Sequence, residues 1–212
     1  MLINLIKKIL PPEEKIFYSL FNESIELACQ ASSALSDIYE TGISEEKMEH
    51  ARLLKERSNE LTHRLLEHLS ATFITPFDRE DIQTVAVFIN KITKKIVRVI
   101  KNSYYYNLDG YNESLKQQSQ LLVKITDELK TAVDQLKSTT KAKDITESGR
   151  RMHELENLMD AEIKTALEEL FYNNHDAMTI LKLGQLYRDL ESVGESCGTL
   201  SDITLNIVLK NS

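Results

Sequence analysis

Phe17, Leu20, Phe21, Ile25, Ala28, Leu35 and Ile38 recur at helical spacing and predict an amphipathic helix from Pro12 to about Glu40. Pro12 suits its first turn, where a missing N–H costs nothing, and Glu13 and Glu14 lie near its positive end. Thr41-Gly42 ends it. Ser44 is then placed to cap a second helix that starts with Glu45 and Glu46 and carries Met48, Leu53, Leu54, Leu61, Leu65, Leu66 and Leu69 to about Ala71. The same reading predicts a third helix over about 79–103 and a fourth over about 112–140, the latter with Leu115, Leu122, Ile125, Leu129, Val133 and Leu136. A fifth runs to about Phe171, with Gly149 preceding or interrupting its start, and a sixth covers about 176–209. Six glycines and three prolines are too few turn residues for many short strands, so the fold class is all-α.

The run Thr72-Phe-Ile-Thr-Pro-Phe-Asp-Arg-Glu-Asp-Ile82 is the sharpest local signal. Pro76 disfavours helix at Thr75, Asp78 reads as an N-cap, and Asp81 adds an acid near the helix start. Tyr104, Tyr105 and Tyr106, followed by Asn107 to Gly110, read as a loop packed over a helix end. At the other extreme, Met1 to Leu10 place Leu2, Leu5, Ile6, Ile9 and Leu10 on one face. That segment reads as a short helix closing one end of the core, with peripheral contact to a membrane surface as the alternative.

The chain has 212 residues, 42% of them hydrophobic, which is enough for a sizeable core. A net charge of -7 argues against general affinity for nucleic acid or acidic lipid and suits cations or basic partner loops. Two cysteines, Cys29 and Cys197, exclude a disulfide framework and read as core thiols. No apolar run approaches the roughly 20 residues of a spanning helix, and no cleavage pattern marks a signal peptide, so the expectation is a cytoplasmic protein.

Chemistry concentrates between Arg150 and Asp202. Glu156/Asp160 and Glu191/Glu195 are two i, i+4 pairs, each on one helix face. Their midpoints are equidistant from a region near residue 175, so a chain reversal at Asn173-Asn174-His175-Asp176 brings the pairs together. Four converging carboxylates must be solvated, share protons or surround a cation. His153 lies three residues before Glu156 and adds an imidazole donor, while Asp202 is a weaker candidate.

Positions 55/59 and 90/94, symmetric about Pro76, precede these pairs by a constant offset of 101 residues. The chain therefore reads as one domain, 1–212, built from two three-helix repeats at about 13–103 and 112–209. The first repeat has Lys55, Asn59, Asn90 and Lys94 where the second has four acids. Protonated ammonium groups have no lone pair for an ion, so a cation site is expected only in the second repeat. Lys55 and Lys94 are expected to pair with nearby acids such as Glu56.

The chain resembles the PhoU-like proteins of phosphate transport, and within them the single-chain accessory group of low-affinity phosphate transporters (Pit accessory). The resemblance rests on the Thr72–Ile82 run, on Glu156-Asn-Leu-Met-Asp160 and on Leu190-Glu-Ser-Val-Gly-Glu-Ser-Cys197. It implies a six-helix bundle of two three-helix repeats and iron or zinc clusters on Glu/Asp-x-x-x-Asp motifs. Those motifs map here onto Glu156, Asp160, Glu191 and Glu195, the last replacing the usual Asp, and give at most one divalent or ferric metal cluster per chain. It also implies a partner: an inorganic phosphate transporter or phosphate-signalling protein.

The competing class is a metal-dependent enzyme on a helical bundle. Neither Glu156 nor Glu191 is followed by His at i+3, and there is no nucleophile elbow, P-loop or dinucleotide glycine pattern. The expectation is therefore a non-enzymatic accessory or regulatory protein. It works through helix faces that would also suit a homo-oligomer.

Overall fold

A computed structural model describes residues 12–107, 112–137 and 142–211. Six helices follow one another with no strand among the described residues: α1 Pro12–Thr41, α2 Glu45–Ala71, α3 Arg79–Tyr105, α4 Glu113–Asp134, α5 Ala142–Tyr172 and α6 Ala177–Lys210. Within α1–α3 every helix touches the other two, and the same is true of α4–α6. The triplets join through α1 against α4 and α3 against α6. Exchanging α1 with α4, α2 with α5 and α3 with α6 reproduces this set of contacts.

The helix boundaries follow from local chemistry. The Ser44 hydroxyl accepts the Lys47 N–H at 3.2 Å, the Asn112 side chain accepts that of Leu115 at 2.9 Å, and Asp176 accepts those of Met178 and Thr179. Each cap satisfies a donor that the helix cannot satisfy itself. Between α2 and α3, Arg79 reaches back to the Thr72 carbonyl at 2.7 Å and to that of Leu69, closing the C-terminal end of α2. Thr75 donates to the Phe77 carbonyl at 2.8 Å, and Phe77 turns inward to stack near Phe21.

Several boundaries differ from expectation. Asp78 precedes α3 but makes no capping bond; Lys210, arriving from the end of α6, takes its carboxylate instead. Tyr104 and Tyr105 belong to α3 rather than to a loop. The helix α4 stops at Asp134, where the Gln135 and Leu136 N–H groups tighten onto carbonyls three residues back. Gly149 lies well inside α5, which begins at Ala142. A helix-interior glycine costs only about 1 kcal/mol, less than the surrounding burial of Ile145, Met152 and Met159 returns. The expected N-terminal helix over 1–10 lies outside the described residues.

The core is aliphatic and continuous through both triplets. Along α3, Ile82, Val85, Ile89, Ile92, Ile96, Val99 and Ile100 form a fully buried stripe at helical spacing. Polar links tie the halves together at chosen points. Ser32 and Thr126 hydroxyls meet at 2.7 Å between α1 and α4, and Lys130 pairs with Glu26 nearby. Both cysteines are buried, and the Cys29 thiol donates to the Thr126 carbonyl at 3.4 Å. Burial, with Asp127 and Glu26 adding to it, pushes the Cys29 thiol up to about 12; burial raises Cys197 as well. Both thiols should resist alkylation in the native protein at neutral pH and react fully in denaturant. Because the folded-state value is raised, the thiols favour folding below their ordinary value and lose that contribution as pH rises above it, so alkaline stability should decline. Rapid native labelling would contradict this packing.

Candidate metal centre

The chain reverses at Asn173–Asp176, where Asn174 adopts a left-handed φ of 52°. The hairpin returns α6 along α5, so both acid pairs lie on one seam. Asp160 and Glu191 line a single open groove of about 580 Å³ together with Lys164, Leu167 and Phe171. Burial raises the Glu191 carboxyl above its ordinary value, and the Glu195 and Asp160 charges add to the shift. Arg188 offsets part of the shift, and the fold thus brings Asp160 of one pair within electrostatic reach of Glu191 of the other.

Glu156 sits one turn further along the seam. Its carboxylate lies over Gly198 so closely that a Cβ built there would be 2.2 Å from both oxygens. Only a glycine admits the carboxylate in this position. His153 bridges two acids, with Nδ1 at 3.3 Å from Glu156 and Nε2 at 3.3 Å from Asp202. Burial raises the Glu156 carboxyl, His153 opposes the shift, and Asp160 and Asp202 reinforce it. Asp202, the weakest expectation of the set, is thus a direct partner of His153. Glu195 is more exposed and contributes its charge toward Glu191 and, across α3, toward Lys95.

The donor chemistry suits a hard or borderline cation: carboxylates with one imidazole. As the side chains stand, however, no three His, Cys, Asp or Glu groups among the described residues converge closely enough to hold a metal ion. Assembling a site therefore takes rotation of these side chains.

The corresponding stretch of the first triplet is built differently. The Asn90 amide N–H donates to the Asn59 side-chain carbonyl oxygen at 3.2 Å, and the Asn90 side-chain oxygen accepts from Ser58 at 3.1 Å. Glu56, expected to neutralise Lys55, is held instead by Arg52. Lys55 and Lys94 form no ion pair among the described residues.

The polar contact between the triplets carries no local signal in the sequence. Asp189, only 5% exposed, accepts from Arg98 at 3.1 Å, Asn102 at 2.8 Å and Gln185 at 3.2 Å. Lys95 donates to the Ser192 carbonyl and to the hydroxyls of Ser192 and Ser196, at 2.6 to 2.7 Å. Residues 95 and 98 of α3 face 196 and 189 of α6 respectively, so the two helices run antiparallel.

This architecture matches solved structures closely. Two PhoU-like proteins from Shewanella oneidensis superpose with TM-scores of 0.83 and 0.82, each covering 92% of this chain and 99% of theirs at 10% identity. The fold is PhoU-like. In sequence, the chain is 21% identical over 214 residues to a Rhizobium meliloti protein named "Putative pit accessory protein", covering 99% of this chain and all of that one. It is 23% identical over 167 residues to the UPF0111 protein YkaA of Bacillus subtilis, covering 77% and 81% of the two chains. No family model matches. Among the described residues of this PhoU-like bundle, no helix is long and apolar enough to cross a membrane.

Proposed function

We propose that this PhoU-like chain is an accessory or regulatory protein of inorganic phosphate transport, working in the cytoplasm by contact with a transporter or a phosphate-signalling protein. The observation that carries the reading is end-to-end similarity to the Rhizobium accessory protein combined with the PhoU-like bundle. The surface supports a role in contact rather than chemistry. Phe73 is 97% exposed at the α2–α3 turn, and Phe171 and Tyr172 project beside the α5–α6 turn, so the bundle ends offer apolar anchors.

The second element of the proposal is one cation site at most, formed by Glu156, Asp160, Glu191 and Glu195. Its support is the mutual repulsion at the seam, which a divalent or ferric ion would relieve. Such an ion would tie α5 to α6, and the acids would act as ligands rather than as catalytic groups.

The direct test is affinity capture of the tagged full chain from detergent-solubilised membranes of its own host. Enrichment of an inorganic phosphate permease or phosphate-sensing protein over an untagged control is the expected result. Recovery of neither, with the tagged chain folded and abundant, would overturn the partner assignment.

A further inference from the structure

The chain carries a net negative charge, yet one groove of about 730 Å³ is strongly basic. Lys55 of α2 and Lys91, Lys94, Lys95, Arg98 and Lys101 of α3 line it, and among the described residues no carboxylate does. On α3 the cations fall at 91, 94, 98 and 101, the spacing of a single helix face, and span about 15 Å of helix. Val87, Val97 and Tyr105 supply its apolar wall. It occupies the first-triplet stretch corresponding in sequence to the acid seam, so the sign of the charge is inverted between the halves.

The groove's cations differ in how far they are compensated. Arg98 pairs with Asp189, and Lys95 is held by neutral oxygens of α6. Lys91 and Lys101 lie over the Phe88 and Tyr105 rings at 5.0 and 5.8 Å. Lys55, Lys91, Lys94 and Lys101 form no ion pair among the described residues. Burial lowers the Lys95 ammonium below its ordinary value, and repulsion from Lys91 and Arg98 lowers it further. Asp189 compensates Arg98 and Glu195 partly offsets the repulsion on Lys95, which leaves Lys55, Lys91, Lys94 and Lys101 as crowded positive charge with no carboxylate partner among the described residues. Asn90, which also lines the groove, spends its amide on Asn59 and its oxygen on Ser58, so the charged donors facing a ligand are the ammonium groups and the free edge of Arg98.

We propose that this groove binds a small anion carrying several adjacent phosphates, such as an inorganic oligophosphate or a nucleoside polyphosphate. An elongated row of cations matches an elongated polyanion better than a single phosphate, which reaches only part of the row. The groove's volume is that of a small-ligand site, whereas a flat basic surface would suit a broad protein partner. The assignment is independent of the transporter reading: it names a ligand for the first triplet, whoever the protein's partner is.

The test is calorimetric titration of the purified full chain with tripolyphosphate near physiological salt, with orthophosphate and vesicles containing a phosphomonoester lipid as separate arms. Tripolyphosphate should bind saturably and at least tenfold tighter than orthophosphate. Lys55→Gln with Lys94→Gln should weaken it by at least about tenfold, because two charge-assisted contacts are lost. Lys15→Gln with Lys124→Gln, exposed cations away from the groove, should leave it unchanged while altering net charge equally. Thermal melts of both variants should stay close to wild type, since none of the four side chains is buried. Vesicle binding in addition to tripolyphosphate binding would place the same chemistry on a lipid headgroup as well. The proposal is overturned by no tripolyphosphate binding, by binding that both variant pairs weaken equally, or by vesicle binding or self-association alone.

Discussion

Asp189→Ala should lower stability by about 3 kcal/mol, the cost of losing a buried carboxylate that accepts from three side chains. For a chain of this length the melting temperature should fall by roughly 6–12 °C. The magnitude follows from position: the carboxylate is buried between α3 and α6 and accepts from three side chains on the two helices. Asp189→Asn keeps an acceptor for Asn102 while losing the charge opposite Arg98, so its loss should be about half as large. Exposed ion pairs such as Arg52 with Glu49 serve as controls; Glu49→Gln should leave stability close to that of wild type. Chemical denaturation of the three variants checks the ranking. An Asp189→Ala protein as stable as wild type would mean that the Asp189 contacts add nothing to the hold between α3 and α6.

The second large effect concerns the acid seam. Asp160→Asn with Glu191→Gln should reduce metal affinity by at least about a hundredfold, because even outer-shell changes at metal sites cost ten- to a hundredfold. The wild-type protein, purified without chelator, should then contain at most one cluster per chain and the double variant none. Binding should weaken on acidification, as protons compete for the carboxylates. In the ion-free protein the same substitutions should not lower stability. The Glu191 carboxyl is held above its ordinary value, so the folded chain retains a proton that the unfolded chain releases. Its favourable contribution is present at acid pH and is lost as pH rises through the folded-state value, leaving repulsion at neutral pH that the double variant removes. Asn59→Asp alone should not create a second site, because Lys55 and Lys94 remain beside it. Equal metal content in wild type and the double variant would remove the seam as the site.

Much of the fold was legible because local signals agreed with one another. Ser44, Asn112 and Asp176 each precede an apolar period and each caps the helix that follows. The reversal near residue 175, derived from the spacing of the acids, is where the hairpin turns. Other features depended on residues far apart in the chain. Asp78 looked like a cap because Lys210, 132 residues away, is invisible to a local reading. Asp189 gave no warning of its importance, since its partners Arg98 and Asn102 lie on another helix. Gly198 carries no local signal, because what constrains it is the Glu156 carboxylate of another helix. The pairing of His153 with Asp202 likewise needed the relative rotation of α5 and α6, which periodicity does not specify to within one residue.

Phosphate uptake is the most direct measure of the proposed role in phosphate transport. Cells lacking the chain should take up labelled phosphate at an altered rate, or show altered phosphate-responsive expression, and the full-length protein should restore either. Unchanged uptake and unchanged signalling in the deletion strain, under both scarce and abundant phosphate, would contradict it.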